Sequence, residues 1–328
     1  MVKIGLIGAG FIAGVHANAY AAVSEAQVVA VTSLQRADSQ KIADRLGARV
    51  YDTVEELLAD PEVEAVDICV PTYAHRDVVL QAAAAGKHVL CEKPIARTVT
   101  EADEMIAACR EAGVQFMVAH VMRWEPTAEK ARQVVESGAL GPVRLVRMTL
   151  GGSFPTWGYE NWFADFQKSG GPFLDLVIHN FDWLNWVFGP VQRVFARNVN
   201  GPHLERGDYG LAILKFKSGV IAHVEAMWNA PEGYPFEDRY EIAGTQGLYE
   251  YGDHRPPIDM WVRGEDGRGR RHAEAPHSTD GFAAEIRHFV ECCRTGQPPR
   301  VTPEEAREAI RIALAAIESA AIGEPVEL

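Results

Sequence analysis

Basic residues are scarce in this chain. Lysine and arginine number 32 against 45 aspartates and glutamates, a formal charge of −13 over 328 residues. That deficit argues against the broad lysine- and arginine-rich face that nucleic acid or an anionic membrane requires. It leaves room for a small anionic ligand, because helix N-termini bind phosphate through backbone N–H groups. Cysteine is sparse too: Cys69, Cys91, Cys109, Cys292 and Cys293 are odd in number and lack CxxC spacing. Disulfide scaffolds and zinc ribbons are therefore not expected, and a reducing compartment fits. Cys292-Cys293 reads as packing within a helix. No run reaches the roughly 18 apolar residues of a membrane span. The first residues lead straight into a glycine-rich turn rather than through the three regions of a signal peptide. A soluble, cytoplasmic protein is expected. The eleven histidines form no HExxH or other close ligand set, so no metal is expected. His203, His254, His272 and His277 lie in polar stretches and read as solvated.

What is present is a globular composition, 47% hydrophobic, with length for two domains at about 150 residues each. Residues 2–7, 27–31, 65–70, 88–91 and 116–119 read as short strands apolar on both faces, separated by helical stretches. Thr53 and Thr98 open capping-box sequences, and Gly86 and Gly113 stand where helices should end. Repeated β-α-β predicts a doubly wound α/β domain over 1–120. One further helix ends near Gly138. Residues 143–150, 191–198, 209–216, 220–228, 238–243 and 248–251 then read as strands joined by short turns, and helices over 281–294 and 303–322 close the chain. Successive strands without helices between them predict a second, α+β domain over 121–328 with an antiparallel sheet. The Gly- and Arg-rich run 263–271 reads as an exposed hairpin tip.

Four features point to chemistry. Gly8-Ala9-Gly10-Phe11-Ile12-Ala13 joins a predicted strand to a predicted helix, the context that gives a GxGxxG/A string meaning as a dinucleotide site. Gly8 permits the turn, Gly10 lets the backbone approach a pyrophosphate, and Ala13 lets the helix pack closely. The alternative is an ordinary strand-to-helix turn. The second strand ends Thr32-Ser33-Leu34-Gln35-Arg36, with no acid before Asp38. A hydroxyl and an arginine suit the 2′-phosphate of NADP better than the bare ribose of NAD, unless Arg36 merely opens an exposed helix. Glu92-Lys93-Pro94 follows the strand 88–91, where ligands bind in open parallel sheets, although a lone lysine there is also an ordinary loop residue. Finally, Gly170-Gly171-Pro172 opens a stretch apolar almost all round. On one helix, Asp175, His179 and Asp182 would form a single polar stripe. An aspartate orienting an imidazole makes a general base; equally, the two could be a satisfied structural pair.

These motifs, with Val70-Pro71-Thr72-Tyr73-Ala74-His75 and Gly86-Lys87-His88-Val89-Leu90-Cys91-Glu92-Lys93-Pro94, stand in the order of the glucose–fructose oxidoreductase / inositol dehydrogenase / rhizopine-catabolism (Gfo/Idh/MocA) family, which the whole chain resembles. The resemblance implies a Rossmann domain followed by a domain with a large open, mostly antiparallel sheet that mediates homodimer or homotetramer formation. It implies an NAD(P)-dependent oxidoreductase interconverting a secondary alcohol and a ketone on a sugar or cyclic polyol; the Ser33–Arg36 reading slightly favours NADP. Lys93, Asp175 and His179 would be catalytic, with His179 as acid/base. Gly8, Gly10, Phe11, Ile12, Ser33, Arg36, Pro71, Thr72, His75, Glu92 and Lys93 would bind the cofactor. Arg123 and Trp162 would join Lys93, Asp175 and His179 at the substrate. Thr72 stands where many relatives have Asn, and His120-Val121-Met122-Arg123-Trp124 replaces a frequent Asn-x-Arg-Phe type of segment. The aromatics Trp157, Trp162 and Phe163 suit a substrate pocket or a core. A cofactor-bound regulator without turnover is the alternative, though such a protein has no need of a base.

Overall fold

Six short strands, dominated by Val, Ile, Leu and Ala, form a parallel sheet in a computed structural model of the chain. The strands are β1 (Val2–Ile7), β2 (Ala26–Thr32), β3 (Arg49–Tyr51), β4 (Ala65–Ile68), β5 (His88–Glu92) and β6 (Phe116–Ala119). Their order, β3-β2-β1-β4-β5-β6, is the doubly wound order of a dinucleotide-binding sheet. It reverses between β1 and β4, so the turns leaving those strands flank the switch point where ligands bind. The edge strand β3 has only three residues, too few for the period-2 pattern by which strands are read.

The connecting helices are α1 (Phe11–Tyr20), α2 (Arg36–Leu46), α3 (Val54–Ala59), α4 (His75–Ala84) and α5 (Val99–Ala112). Thr98 and Glu101 form the full reciprocal capping box that opens α5, and left-handed Gly113 ends it. At α3 only half of the box forms: Thr53 accepts from Glu56 N–H, while the Glu56 carboxylate turns to the backbone of Asp52.

The structure describes all residues except 202, 205–206, 253–257, 266–267 and 276–279. His254 and His277, read as solvated, lie outside the described residues. Two compact units emerge. The first holds Met1–Val121 with Trp157–Trp162 and Asp280–Ile310; the second holds Met122–Thr156, Phe163–Thr279 and Arg311–Leu328. The division expected at residue 120 is thus interrupted by two segments that return to the first unit.

The second unit is built on α6 (Pro126–Glu136), α7 (Phe166–Ser169), α8 (Gly171–Asp175), α9 (Ile178–Phe188) and nine strands. These are β7 (Val143–Ser153), β8 (Val191–Val199), β9 (Tyr209–Phe216), β10 (Ile221–Ala230), β11 (Glu237–Gly244), β12 (Gly247–Gly252), β13 (Ile258–Arg263), β14 (Gly269–Glu274) and β15 (Val326–Glu327). In the order β14-β13-β12-β11-β7-β10-β9-β8-β15 every pairing is antiparallel except β7 with β10. Trp183 on α9 packs its ring near Tyr240 and donates to Ala128 O at 3.2 Å, fixing α9 and α6 over the sheet. The strands β13 and β14 take in both ends of the run expected to be only a hairpin tip.

One expectation needs correction. The stretch after Gly170 is not one helix. The N–H groups of Leu176 and Val177 both reach Pro172 O, at 3.1 and 2.9 Å. The second contact spans five residues, which widens the turn and separates α8 from α9. Asp175 therefore ends one helix while His179 sits in the first turn of the next, and only His179 and Asp182 share a helix. Wide turns of this kind gather at functional sites.

Candidate active site

In the first unit, the backbone between β1 and α1 is shaped for a phosphate-bearing ligand. Gly8 has φ of 110°, and a Cβ there would lie 2.5 Å from Cys69 O, so only glycine fits. At Gly10 the opposite holds: a Cβ would meet nothing within 4 Å, leaving open space over the backbone. Gly10 also supplies no side-chain cap to α1, so the helix presents its N-terminal N–H groups toward that space. Phe11 is 62% exposed and packs at a tilt of 38° against Trp157, with ring centroids 4.9 Å apart.

The other cofactor candidates cluster around the same strand ends. Ser33 Oγ donates to Gln35 O at 3.0 Å and pairs with Ser39 Oγ at 2.7 Å. Arg36 opens α2 and forms an exposed ion pair with Asp52, just past β3. Pro71 and buried Thr72 begin a 3-10 turn after β4. His75 is buried with Nδ1 2.9 Å from Pro94 O and Nε2 2.9 Å from Val70 O, so it ties the turn after β4 to the one after β5. Burial holds its imidazole below the ordinary pKa, despite the two carbonyls. Glu92 faces inward: Oε1 lies 3.0 Å from His16 Nε2, and Oε2 accepts from Lys93 N–H at 2.9 Å. Lys93 itself is partly exposed, and its bond to Pro94 is cis.

Trp162 is buried and meets Tyr73 edge-on at 6.2 Å, which sets it beside the turn that carries Thr72. Two consecutive non-glycine residues before it, Glu160 and Asn161, hold left-handed backbone with φ of 48° and 52°. Strain of this type persists where surrounding structure imposes it, often beside ligands. Sequence reading missed Tyr73 as the partner of Trp162, because an exposed aromatic carries no periodic signal. It also missed His16. The signal was available: Ala13, His16, Ala17 and Tyr20 form the buried stripe of α1, and a histidine inside such a stripe needs a partner.

In the second unit, buried Asp175 closes α8 and half-buried His179 opens α9. Arg123, expected at substrate, has no exposed surface; its Nε and Nη2 donate to the two oxygens of Asp182 at 2.7 and 2.6 Å. The same guanidinium lies 4.9 Å from the centre of the Trp186 ring. A cavity of about 370 Å³ in this unit is lined by Phe166, Pro172, Phe173, Asn198, Ile317 and Ala321 among others. None of the candidate catalytic side chains lines it.

Known proteins resemble the chain in sequence and in fold. Residues 2–120 match the oxidoreductase family with an NAD-binding Rossmann fold, and residues 128–250 match the GFO/IDH/MocA C-terminal domain. The chain is 31% identical to the uncharacterized oxidoreductase YrbE of Bacillus subtilis, over 100% of this chain and 96% of that protein. It is 29% identical to myo-inositol 2-dehydrogenase of Thermotoga maritima, over 97% of this chain and 96% of that one. An oxidoreductase from Agrobacterium radiobacter, solved with NAD+, L-tartaric acid and magnesium, superposes with a TM-score of 0.88 at 25% identity, covering 99% of this chain and 98% of that chain.

Proposed function

The chain belongs to the Gfo/Idh/MocA family of oxidoreductases, and from that premise we propose an NAD(P)-dependent dehydrogenase that interconverts a secondary alcohol and a ketone on a sugar or cyclic polyol. The observation that carries the reading is the Gly8–Gly10 turn, where a forced glycine, open space and an uncapped helix N-terminus meet at the switch point of the sheet. That arrangement fits a dinucleotide pyrophosphate. Phe11 and Ile12 open α1 directly after this turn, and Ser33, Arg36, Pro71, Thr72 and His75 lie in the loops and helix starts that follow β2 and β4.

When bound, the nicotinamide ring supplies the hydride acceptor or donor. The rest falls to the protein's own residues. His179 takes the proton of the substrate hydroxyl, and Asp175 holds the imidazole in the tautomer able to accept it. The Lys93 ammonium stabilises negative charge as the alkoxide develops. Trp162 offers an apolar wall against which a sugar ring can lie. The regulator alternative is not favoured: the relatives aligned over the full length are oxidoreductases, and this chain keeps Lys93, Asp175 and His179.

The test is a turnover screen of the purified protein. Inositols, pentoses and hexoses are offered with NAD+ and with NADP+, and reduced nicotinamide is followed by absorbance. A protein that binds either cofactor yet oxidises none of them would remove the polyol assignment.

A further inference from the structure

The most heavily buried ionisable cluster in the first unit sits behind the strand ends, not on their surface. His16 has no exposed side-chain area, and neither has Asp67 on β4; Glu92, at the end of β5, has 7%. His16 Nδ1 lies 2.8 Å from Asp67 Oδ2, and His16 Nε2 lies 3.0 Å from Glu92 Oε1. With both carboxylates ionised, both ring nitrogens donate, and the ring bridges β4 and β5 as an imidazolium. Cys69 Sγ completes the cluster, 3.6 Å from His16 Nδ1 and 3.4 Å from Asp67 Oδ1.

A buried charge bridge is a poor device for stability alone, since well-packed apolar groups serve as well or better. What it provides is a fixed direction. Its outer end is specific: the second Glu92 oxygen holds the backbone N–H of Lys93, and His75 holds the next carbonyl, Pro94 O. We propose that His16 is a positioning residue for Lys93, acting through Glu92 to lock the turn from which the lysine side chain departs. The inference rests on the reading of Lys93 as a residue that contacts cofactor and substrate. The His16–Asp67–Cys69 group could also be drawn as a metal site. Against that, 2.8 Å between His16 Nδ1 and Asp67 Oδ2 is the spacing of a shared proton.

The experiment uses His16→Gln, Lys93→Met and the double variant, with NADPH as the probe, or NADH if it binds more tightly. A glutamine amide cannot bridge two carboxylates on opposite sides. Hydrogen exchange read by mass spectrometry should rise in His16→Gln across residues 92–97 while β1 and β2 stay protected. Each single variant should weaken cofactor binding about tenfold, the size of one lost charge-assisted contact. The double should be no weaker than Lys93→Met alone, because an effect transmitted through Lys93 vanishes with it. Fully multiplicative losses, or unchanged exchange at 92–97, would overturn the proposal, as would a stoichiometric transition metal in the purified protein. If Lys93→Met binds and turns over normally, the reading of Lys93 fails instead, and the exchange data alone decide whether His16 holds the turn. Should His16→Gln not fold, Glu92→Gln carries the same expectations.

Discussion

The guanidinium of Arg123 meets the carboxylate of Asp182 through two parallel hydrogen bonds in a place with almost no solvent: the side chains are 0% and 1% exposed. A buried pair of this kind contributes little when compared with an apolar replacement, but removing one partner strands the other. Arg123→Met should therefore lower stability by about 3–5 kcal/mol in urea unfolding. A substrate-binding arginine behaves otherwise. It would raise KM and leave the unfolding midpoint where it was, so the two measurements together assign the residue.

The His16 bridge gives stability a pH signature. Burial favours the neutral ring, yet the Asp67 carboxylate, aided by the Cys69 neighbourhood, outweighs it and lifts the imidazole well above its ordinary value. The groups facing it are Asp67, Glu92, Cys69 and the Tyr20 hydroxyl beside Asp67. Burial and Asp67 push the Cys69 thiol up, so it stays neutral. A raised histidine contributes stability that is complete below about pH 6.5 and is lost as pH rises through its folded value. The melting-temperature gap between wild type and His16→Gln should thus narrow as the buffer becomes alkaline. A gap that widens with pH would mean the ring is neutral in the fold.

Turnover separates the proposed roles of Lys93 and His179. Losing one electrostatic stabiliser costs about 10²-fold or more in kcat, which is the expectation for Lys93→Met. General-base catalysis supplies about 10²–10⁴-fold, so His179→Ala should lose most oxidation while NADPH fluorescence titration still shows binding. A His179→Ala protein that melts early and no longer binds cofactor would mark the residue as structural.

How much of this was legible in the sequence depends on whether a local rule sufficed. The Gly8–Ala13 turn and the Thr98 cap were readable because backbone conformation dictates those residue types at those spacings. The break between Asp175 and His179 was not, because the two N–H groups that converge on Pro172 O belong to residues, Leu176 and Val177, that fit a regular helix equally well. Arg123 was placed at the substrate by family resemblance; only the fold brings Asp182 to it, 59 positions away. The Trp157–Trp162 segment grouped with the first unit for the same reason, since its partners Phe11 and Tyr73 are remote in sequence.

The open sheet of the second unit predicts assembly. Along β9 and β10 the residues alternate between a buried face and an outward one, on which Leu211, Ile213, Ile221 and Met227 are interleaved with Lys215, His223 and Glu225. Ile213 is 40% exposed and Ile221 43%. Large apolar side chains left exposed on an open sheet commonly mark an interface. A homodimer or homotetramer through this face is expected in light scattering at micromolar concentration. Replacing Ile213 and Ile221 together by lysine should shift it to a smaller species without unfolding it. A strict monomer in the wild type would end the idea.

Cofactor preference turns on Arg36. An NAD-selective site carries a carboxylate at the end of the second strand, where it grips the ribose and repels a 2′-phosphate. Thr32 to Arg36 offer none. The nearest acid engaged there is Asp52, which ion-pairs with Arg36 across two exposed side chains. Such surface pairs contribute little and are readily exchanged, so a phosphate can displace Asp52 from the guanidinium. Ser33 is less available, because its hydroxyl is already committed to Gln35 O and Ser39. The gain from one charge-assisted contact, reduced by exposure and by competition from Asp52, is about tenfold in affinity. NADPH should therefore bind modestly tighter than NADH, and both should bind. Arg36→Ala should erase the difference, whereas Asp52→Ala should enlarge it by freeing the arginine. Dissociation constants for both cofactors in the three proteins decide the matter. A clear NADH preference in the wild type, or discrimination that survives Arg36→Ala, would reduce Arg36 to a helix-opening residue paired with its neighbour.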